Sequence, residues 1–206
     1  GTGNLAISNG GYVYADSYAD VYGDLYYLGA AIGYNANSTG TVTVDGVGNI
    51  DDNTYQSELY VGDAALVVGY YGNGSLAITN GGYVEASSYG YAGDSDVGLV
   101  AGYDATANGT VTVSDVANID GNYFQSELAV DDAALIVGYN GTGSLSISNG
   151  GFVYSDGSDD NIGAGMVIGY SANSTGNVTV SGYEPDSEDA SNLTVDYGAM
   201  VVGYNG

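Results

Sequence analysis

The chain has no lysine, arginine, histidine, cysteine or tryptophan, and its one proline is Pro185. An ordinary soluble chain of 206 residues carries about 25 basic side chains. Without Lys and Arg nothing neutralises phosphate, which excludes nucleic-acid partners and polybasic attachment to anionic membranes. No salt bridge between side chains can form. Without Cys there are no disulfides, thiolate metal sites or cysteine-bound haem. Without His the commonest general base and the commonest metal ligand are missing. No apolar run approaches the ~18 residues of a membrane span, so no membrane insertion is expected.

What is present is acidic, small and aromatic. The 25 Asp and Glu residues set a formal charge of −25, and the chain carries 36 glycines and 22 tyrosines. Hydrophobic residues make up 44%, enough for a core, so the high charge does not signify disorder. The chain starts at Gly1 with no signal peptide in view, which reads as a processed chain or a segment of a longer one.

Internal repetition dominates. The stretch Gly1-Thr-Gly-Asn-Leu-Ala-Ile-Ser-Asn-Gly-Gly-Tyr-Val13 returns with few changes at 72–84 and at 141–153. Between these copies lies a second unit: Gly40-Thr-Val-Thr-Val44, Gly109-Thr-Val-Thr-Val113 and Gly176-Asn-Val-Thr-Val180. Gly-Tyr pairs at 33, 69, 102, 138, 169 and 203 mark six units of about 34 residues, alternating in type. Three two-unit repeats follow, 1–71, 72–140 and 141–206, in a single domain spanning 1–206.

Within a unit, Leu5 and Ile7 alternate with Ala6 and Ser8, and Val42 and Val44 with Thr41 and Thr43, the period of a half-buried strand. The denser Leu66-Val-Val-Gly, Leu99-Val-Ala-Gly and Leu135-Ile-Val-Gly runs predict more deeply buried strands. Asn-Gly-Gly at Asn9, Asn80 and Asn149 predicts tight turns with positive φ. About three strands per unit predict an all-β fold, a parallel β-solenoid (β-helix) of about six coils. A single coil cannot bury its apolar face, and stacking makes the core continuous. Equivalent residues then stack, with tyrosines 34, 70, 103, 139, 170 and 204 forming one ladder and Asn9, Asn80 and Asn149 lining up on alternate coils.

The run Gly40-Thr-Val-Thr-Val-Asp-Gly, followed by Glu58-Leu-Tyr-Val-Gly62 and Gly72-Asn-Gly-Ser-Leu-Ala-Ile-Thr-Asn-Gly-Gly82, resembles the repeat shared by type V secretion (autotransporter) passengers and PEP-CTERM-associated surface proteins. The resemblance covers nearly the whole chain three times over. It implies a secreted or surface-exposed β-solenoid with no catalytic residues to carry over.

The last residues, Val201-Val-Gly-Tyr-Asn-Gly206, repeat Ile136-Val-Gly-Tyr-Asn-Gly141, and Gly141 opens a repeat in the phase of Gly1. No polar capping unit is visible at either end, and an uncapped solenoid end is a template for stacking. The expectation is a head-to-tail homopolymer in which Leu5, Ile7 and Val13 of one copy meet Val201, Val202 and Tyr204 of the next. The other reading is an excerpt from a longer repeat protein.

Three groups of residues carry candidate chemistry. Asp156, Asp159 and Asp160 cluster in one loop, and Glu184, Asp186, Glu188 and Asp189 surround Pro185. All-oxygen ligands suit Ca²⁺, but neither cluster fits a Ca²⁺ loop signature, and a solvated acidic surface that keeps rods apart is the plainer account. Asn-x-Ser/Thr sequons at Asn37, Asn73, Asn108, Asn140, Asn173, Asn177 and Asn192 are glycosylation candidates on a secreted surface, against plain turn chemistry. A glycosidase-like carboxylate pair would break the repeat at one place, whereas these acids are spread through most coils and have no cationic helper, so no enzyme is expected. An ice-binding face would need threonine on consecutive coils; Asn4-Leu-Ala6 and Ser75-Leu-Ala77 interrupt it.

The function expected is a structural extracellular filament or surface-fibre subunit. The alternative is an adhesin segment that grips glycans or other surface components through its loops.

Overall fold

The structure, a computed structural model, describes residues 1–16, 28–50, 53–88, 97–157, 164–187 and 189–205. It contains strands and no helix among the described residues. Coil 1 holds β1 (Thr2–Ser8), β2 (Tyr12–Asp16) and β3 (Leu28–Ile32). Coil 2 holds β4 (Thr39–Asp45), β5 (Val47–Ile50), β6 (Asn53–Gln56), β7 (Glu58–Gly62) and β8 (Ala65–Val68). Coil 3 holds β9 (Asn73–Thr79), β10 (Tyr83–Ser87) and β11 (Val97–Ala101). Coil 4 holds β12 (Asn108–Ser114), β13 (Val116–Ile119), β14 (Asn122–Gln125), β15 (Glu127–Asp131) and β16 (Ala134–Val137). Coil 5 holds β17 (Thr142–Ser148), β18 (Phe152–Asp156) and β19 (Ala164–Ile168). Coil 6 holds β20 (Thr175–Ser181), β21 (Tyr183–Glu184), β22 (Asp189–Ala190), β23 (Asn192–Asp196) and β24 (Ala199–Val202).

Each coil contributes one strand to each of three six-stranded sheets, in coil order: β1-β4-β9-β12-β17-β20, β2-β7-β10-β15-β18-β23 and β3-β8-β11-β16-β19-β24. Neighbours pair in parallel with like residues aligned, for example Leu5↔Val42, Val42↔Leu76 and Leu76↔Val111. The architecture is the parallel β-solenoid of about six coils expected from the repeats. At ~4.8 Å per rung, six rungs span roughly 29 Å.

The period-2 pattern places the core. Val42, Val44, Leu76, Ile78, Val111, Val113, Leu145 and Ile147 face inward and are buried, while the threonines and serines between them face out. The third sheet is buried on both faces. Leu66, Leu99, Leu135 and Met166 join the central core, and the alternating Val67, Val100, Ile136 and Val167 form a second cluster flanked by Tyr70, Tyr139 and Tyr170. The tyrosine ladder runs the length of the stack, with ring centroids 5.1, 4.8, 5.2, 4.7 and 5.0 Å apart from Tyr34 to Tyr204.

Two kinds of corner explain the two-coil period. Odd coils turn from the first to the second sheet through Asn-Gly-Gly, where Asn9, Asn80 and Asn149 have φ of 56°, 51° and 50° and the next glycine is also left-handed. Even coils make the same corner with an antiparallel hairpin, β5-β6, β13-β14 or β21-β22. A serine at the base of each hairpin, buried in coils 2 and 4 and half-buried in coil 6, ties it to the odd coil beside it. Ser57 Oγ accepts from the Gly10 amide at 3.1 Å and donates to the Asp45 carbonyl at 2.8 Å. Ser126 repeats this with Gly81 and Asp115, and Ser191 with Gly150 and Ser181.

The alternate-coil asparagines do not bond to one another. Asn80 donates to Asp45 Oδ1 at 2.8 Å and Asn149 to Asp115 Oδ1 at 3.1 Å. An amide pair does form elsewhere, from Asn108 Nδ2 to Asn73 Oδ1 at 2.9 Å. Neutral amides and hydroxyls, Thr79 included, take the place that lysine or arginine fills in other proteins.

Candidate functional site

The two end coils differ from the four between them by exposure. Leu5 on β1 is 41% exposed, whereas its equivalents Leu76 and Leu145 are 0% and 1%. On coil 6, Val180, Met200 and Val202 are exposed, although Val44, Leu66 and Val68 in the same places on coil 2 are fully buried. The coil 1 end opens on a depression of about 540 Å³ whose apolar lining includes Leu5, Val13, Ala30, Ile32, Leu59 and Leu66. Tyr34 and Tyr204 end the ladder exposed, and Tyr103 within it is buried.

Among the residues expected at a polymer contact, Leu5, Val202 and Tyr204 are exposed and Val13 and Val201 are half-buried at the ends. Ile7 is already buried inside coil 1 and offers little further area. Val180, Met200 and Tyr34 belong to the same end faces. Their signal was their position in the repeat: Val180 is the coil 6 equivalent of Ile7, Tyr34 is the coil 1 equivalent of Tyr204, and Met200 adjoins Val201.

The outer face of the second sheet carries stacked acids and phenols. One column, read by register, runs Tyr12, Glu58, Tyr83, Glu127, Phe152 and Asn192. Two columns along the same face, beyond the one that holds Tyr14, Tyr60 and Glu85, stand Asp16, Gly62, Ser87 and Asp131, with Asp156 paired to Asp196 at the far end. The Glu58 carboxyl is raised above its ordinary value by burial and by Glu85. Burial likewise raises Glu127, helped by Asp131 and Glu85, and it raises Asp131, helped by Glu85, Asp156 and Asp132. The Tyr83 phenol donates to Glu85 Oε2 at 2.9 Å and is held neutral by burial and that carboxylate. Every neighbouring charge has the same sign, so each interaction favours the protonated acid.

The two candidate Ca²⁺ clusters lie in coils 5 and 6. Asp156 is on β18 in the second sheet, while Glu184, Asp186 and Asp189 sit on or beside the β21-β22 hairpin. Asp159, Asp160 and Glu188 lie outside the described residues. Among the described residues no three acidic side chains converge so as to hold a metal ion.

The sequons fall into two settings. Asn37 and Asn173 are exposed in equivalent turns, where Ser38 Oγ and Ser174 Oγ donate to the Asn35 and Ser171 carbonyls. Asn73, Asn108, Asn177 and Asn192 are exposed on strands, and Asn140 is half-buried and accepts from Ser171 Oγ at 2.6 Å. Asn37 and Asn173 thus differ from the other exposed sequons in lying in turns and not on ladder strands.

Two features escaped the sequence reading. The hairpin-base serines had a signal in the recurring Gln56-Ser-Glu-Leu59 and Gln125-Ser-Glu-Leu128. Gln56 and Gln125 also matter, since their side-chain amides donate to the Gly81 and Gly150 carbonyls of the next coil at 2.8 and 2.9 Å. Coil 6 has Ala190 in the equivalent place. No family model, curated protein or solved structure matches this chain.

Proposed function

We propose that the protein is a structural, non-catalytic subunit of an extracellular filament or surface fibre, formed by stacking rods head to tail. One observation carries this reading. The face that coil 6 exposes is the face on which coils 2 and 4 seat coils 3 and 5, and coil 1 is the equivalent of coils 3 and 5. The chain thus contains two internal copies of the joint its ends would make. Transferring the β4–β9 register to β20 and a second copy's β1 sets Val178 against Leu5, Thr179 against Ala6 and Val180 against Ile7. The β8–β11 register sets Met200 against Ala30 and Val202 against Ile32, and the tyrosine ladder would continue from Tyr204 to Tyr34.

Such a joint is heterologous and does not close, which gives a polar open filament. Parallel backbone pairing supplies strength along the axis, and the acidic coat keeps rods apart sideways. The absence of Lys and Arg leaves no site for trypsin-type proteases, which fits a durable surface material. The resemblance to autotransporter and PEP-CTERM-associated repeats supports the same location.

Coil 6 favours a second reading, the adhesin segment, because its hairpin strands have two residues each where those of coils 2 and 4 have four. Binding of a glycan or surface component confined to that hairpin would support it.

The protein's lack of cysteine makes the joint testable by cross-linking. Ala6→Cys with Thr179→Cys places two outward thiols one rung apart across the joint, within disulfide reach of ~4.4–6.8 Å between Cα atoms. Within one rod they lie five rungs apart. Mild oxidation should give a ladder of covalent oligomers, and Ala6→Cys with the off-register Asn205→Cys should give far fewer. Monomers only, in both proteins, would overturn the head-to-tail reading.

A further inference from the structure

The joint has a consequence for regulation that rests on the head-to-tail reading. In the second sheet, Val61 pairs with Ala86 and Val130 with Ser155, so the next residues, Gly62 and Asp131, stand one rung from Ser87 and Asp156. The equivalent residues at the two ends are Asp196 and Asp16. We propose that the joint is acid-gated: it stacks Asp196 of one rod on Asp16 of the next, so rods join when that step holds a proton and stay apart when both carboxylates are charged.

The surroundings sharpen the repulsion. Asp196 already stacks on Asp156, with Asp131 beyond it, so the joint would extend a run of three carboxylates to four. Among the described residues, the other groups near this run are the Glu85 and Asp132 carboxylates beside Asp131, which add to the repulsion, together with phenols and backbone. Tyr154 lies beside Asp156 and Asp196, and the Gly157 amide donates to the Asp196 carbonyl at 3.0 Å. On the coil 1 side, the Tyr14 hydroxyl donates to Asp16 Oδ2 at 3.0 Å, and the next rung is Gly62 with the Tyr60 ring beside it. No lysine, arginine or histidine exists anywhere in the chain to neutralise the step. Internal even-to-odd joints soften it at coil 2, where Gly62 and Ser87 are both neutral.

The chemistry of one proton is favourable here. Asp16 Oδ1 is buried without a hydrogen-bond partner among the described residues. A protonated Asp196 has an O–H to donate, and an ionised Asp16 can only accept. A single proton shared between two stacked carboxyls replaces repulsion by a charge-assisted hydrogen bond.

Asp196→Asn tests the gate at neutral pH, which separates it from precipitation near the isoelectric point. Asp186→Asn, on the exposed hairpin turn, removes one charge away from the joint and serves as control. Both are compared with wild type by sedimentation velocity and electron microscopy, with chelator present. At about pH 7, Asp196→Asn should form filaments at a concentration about tenfold below that of Asp186→Asn, and the wild type should approach that behaviour at about pH 5. Asp16→Asn should act in the same direction as Asp196→Asn. Filaments in both variants at the same concentration, and in wild type without dependence on pH, would overturn the gate and leave the joint standing. No filaments from any variant at either pH, with no disulfide ladder from Ala6→Cys/Thr179→Cys, would remove the joint and the gate together.

Discussion

Gly10 and Ser57, 47 residues apart in the chain, are joined by a 3.1 Å hydrogen bond from the glycine amide to the serine hydroxyl. That bond fastens the left-handed turn of coil 1 to the hairpin base of coil 2. Ser126 does the same for Gly81 and is fully buried. Ser126→Ala leaves a buried amide without a partner and should lower unfolding free energy by about 1–3 kcal/mol in urea titrations. Ser191→Ala, at the more open coil 6, should cost less.

Gly109 marks where backbone meets backbone at the corner between the third and first sheets. A Cβ there would run into the Val68 carbonyl oxygen and the Gly102 amide nitrogen. Gly109→Ala should therefore destabilise by more than ~3 kcal/mol, at the high end for one substitution, and should be visible as a large drop in Tm. Gly46→Ala differs, since nothing lies within 4 Å of its added carbon and only the positive φ of 79° resists it. Its cost should be near the ~1–2 kcal/mol of a left-handed alanine.

The acidic face sets an unusual pH dependence. Glu58, Glu127 and Asp131 are all raised, by burial first and then by neighbouring carboxylates. A raised acid binds its proton more tightly folded than unfolded, so stability increases as pH falls through the folded value and levels off below the unfolded one. With chelator present, Tm at about pH 5 should exceed Tm at about pH 7.5, the reverse of ordinary acid denaturation. Adding ~1 M salt at the higher pH should recover part of the difference, because the Debye length falls to ~3 Å. A Tm that falls steadily from pH 7.5 to 5 would contradict the account.

The ring pair Tyr103 and Tyr139, 5.2 Å apart and 15° from parallel, tests the ladder. A double-mutant cycle with leucine at each position should give a coupling of about 0.5–1.5 kcal/mol beyond lost area. Coupling indistinguishable from zero would make the ladder a by-product of register.

The coil stack was legible because its signals are local and repeated. Val42 and Val44 alternate with threonines, and the Gly-Tyr pairs count the coils and place the ladder directly. The hairpins were not legible. Residues 47–56 are short, polar and without a strong alternation, and their pairing depends on Ser57 beneath them. The carboxylate stack was hidden for a different reason. Asp131, Asp156 and Asp196 are unevenly spaced in sequence, and they align only when corner lengths are known. Of the two expected Ca²⁺ groupings, the first has Asp159 and Asp160 outside the described residues, and in the second Glu184, Asp186 and Asp189 are spread along the β21-β22 hairpin without converging.

The head-to-tail joint is tested most directly by electron microscopy of the purified chain near neutral pH in ~1 M salt, where the like charges at the joint are screened. Polar filaments with an axial repeat of about 29 Å, six rungs of ~4.8 Å, are the expected result. Discrete rods of that length at every concentration, in wild type and in Asp196→Asn alike, would contradict it.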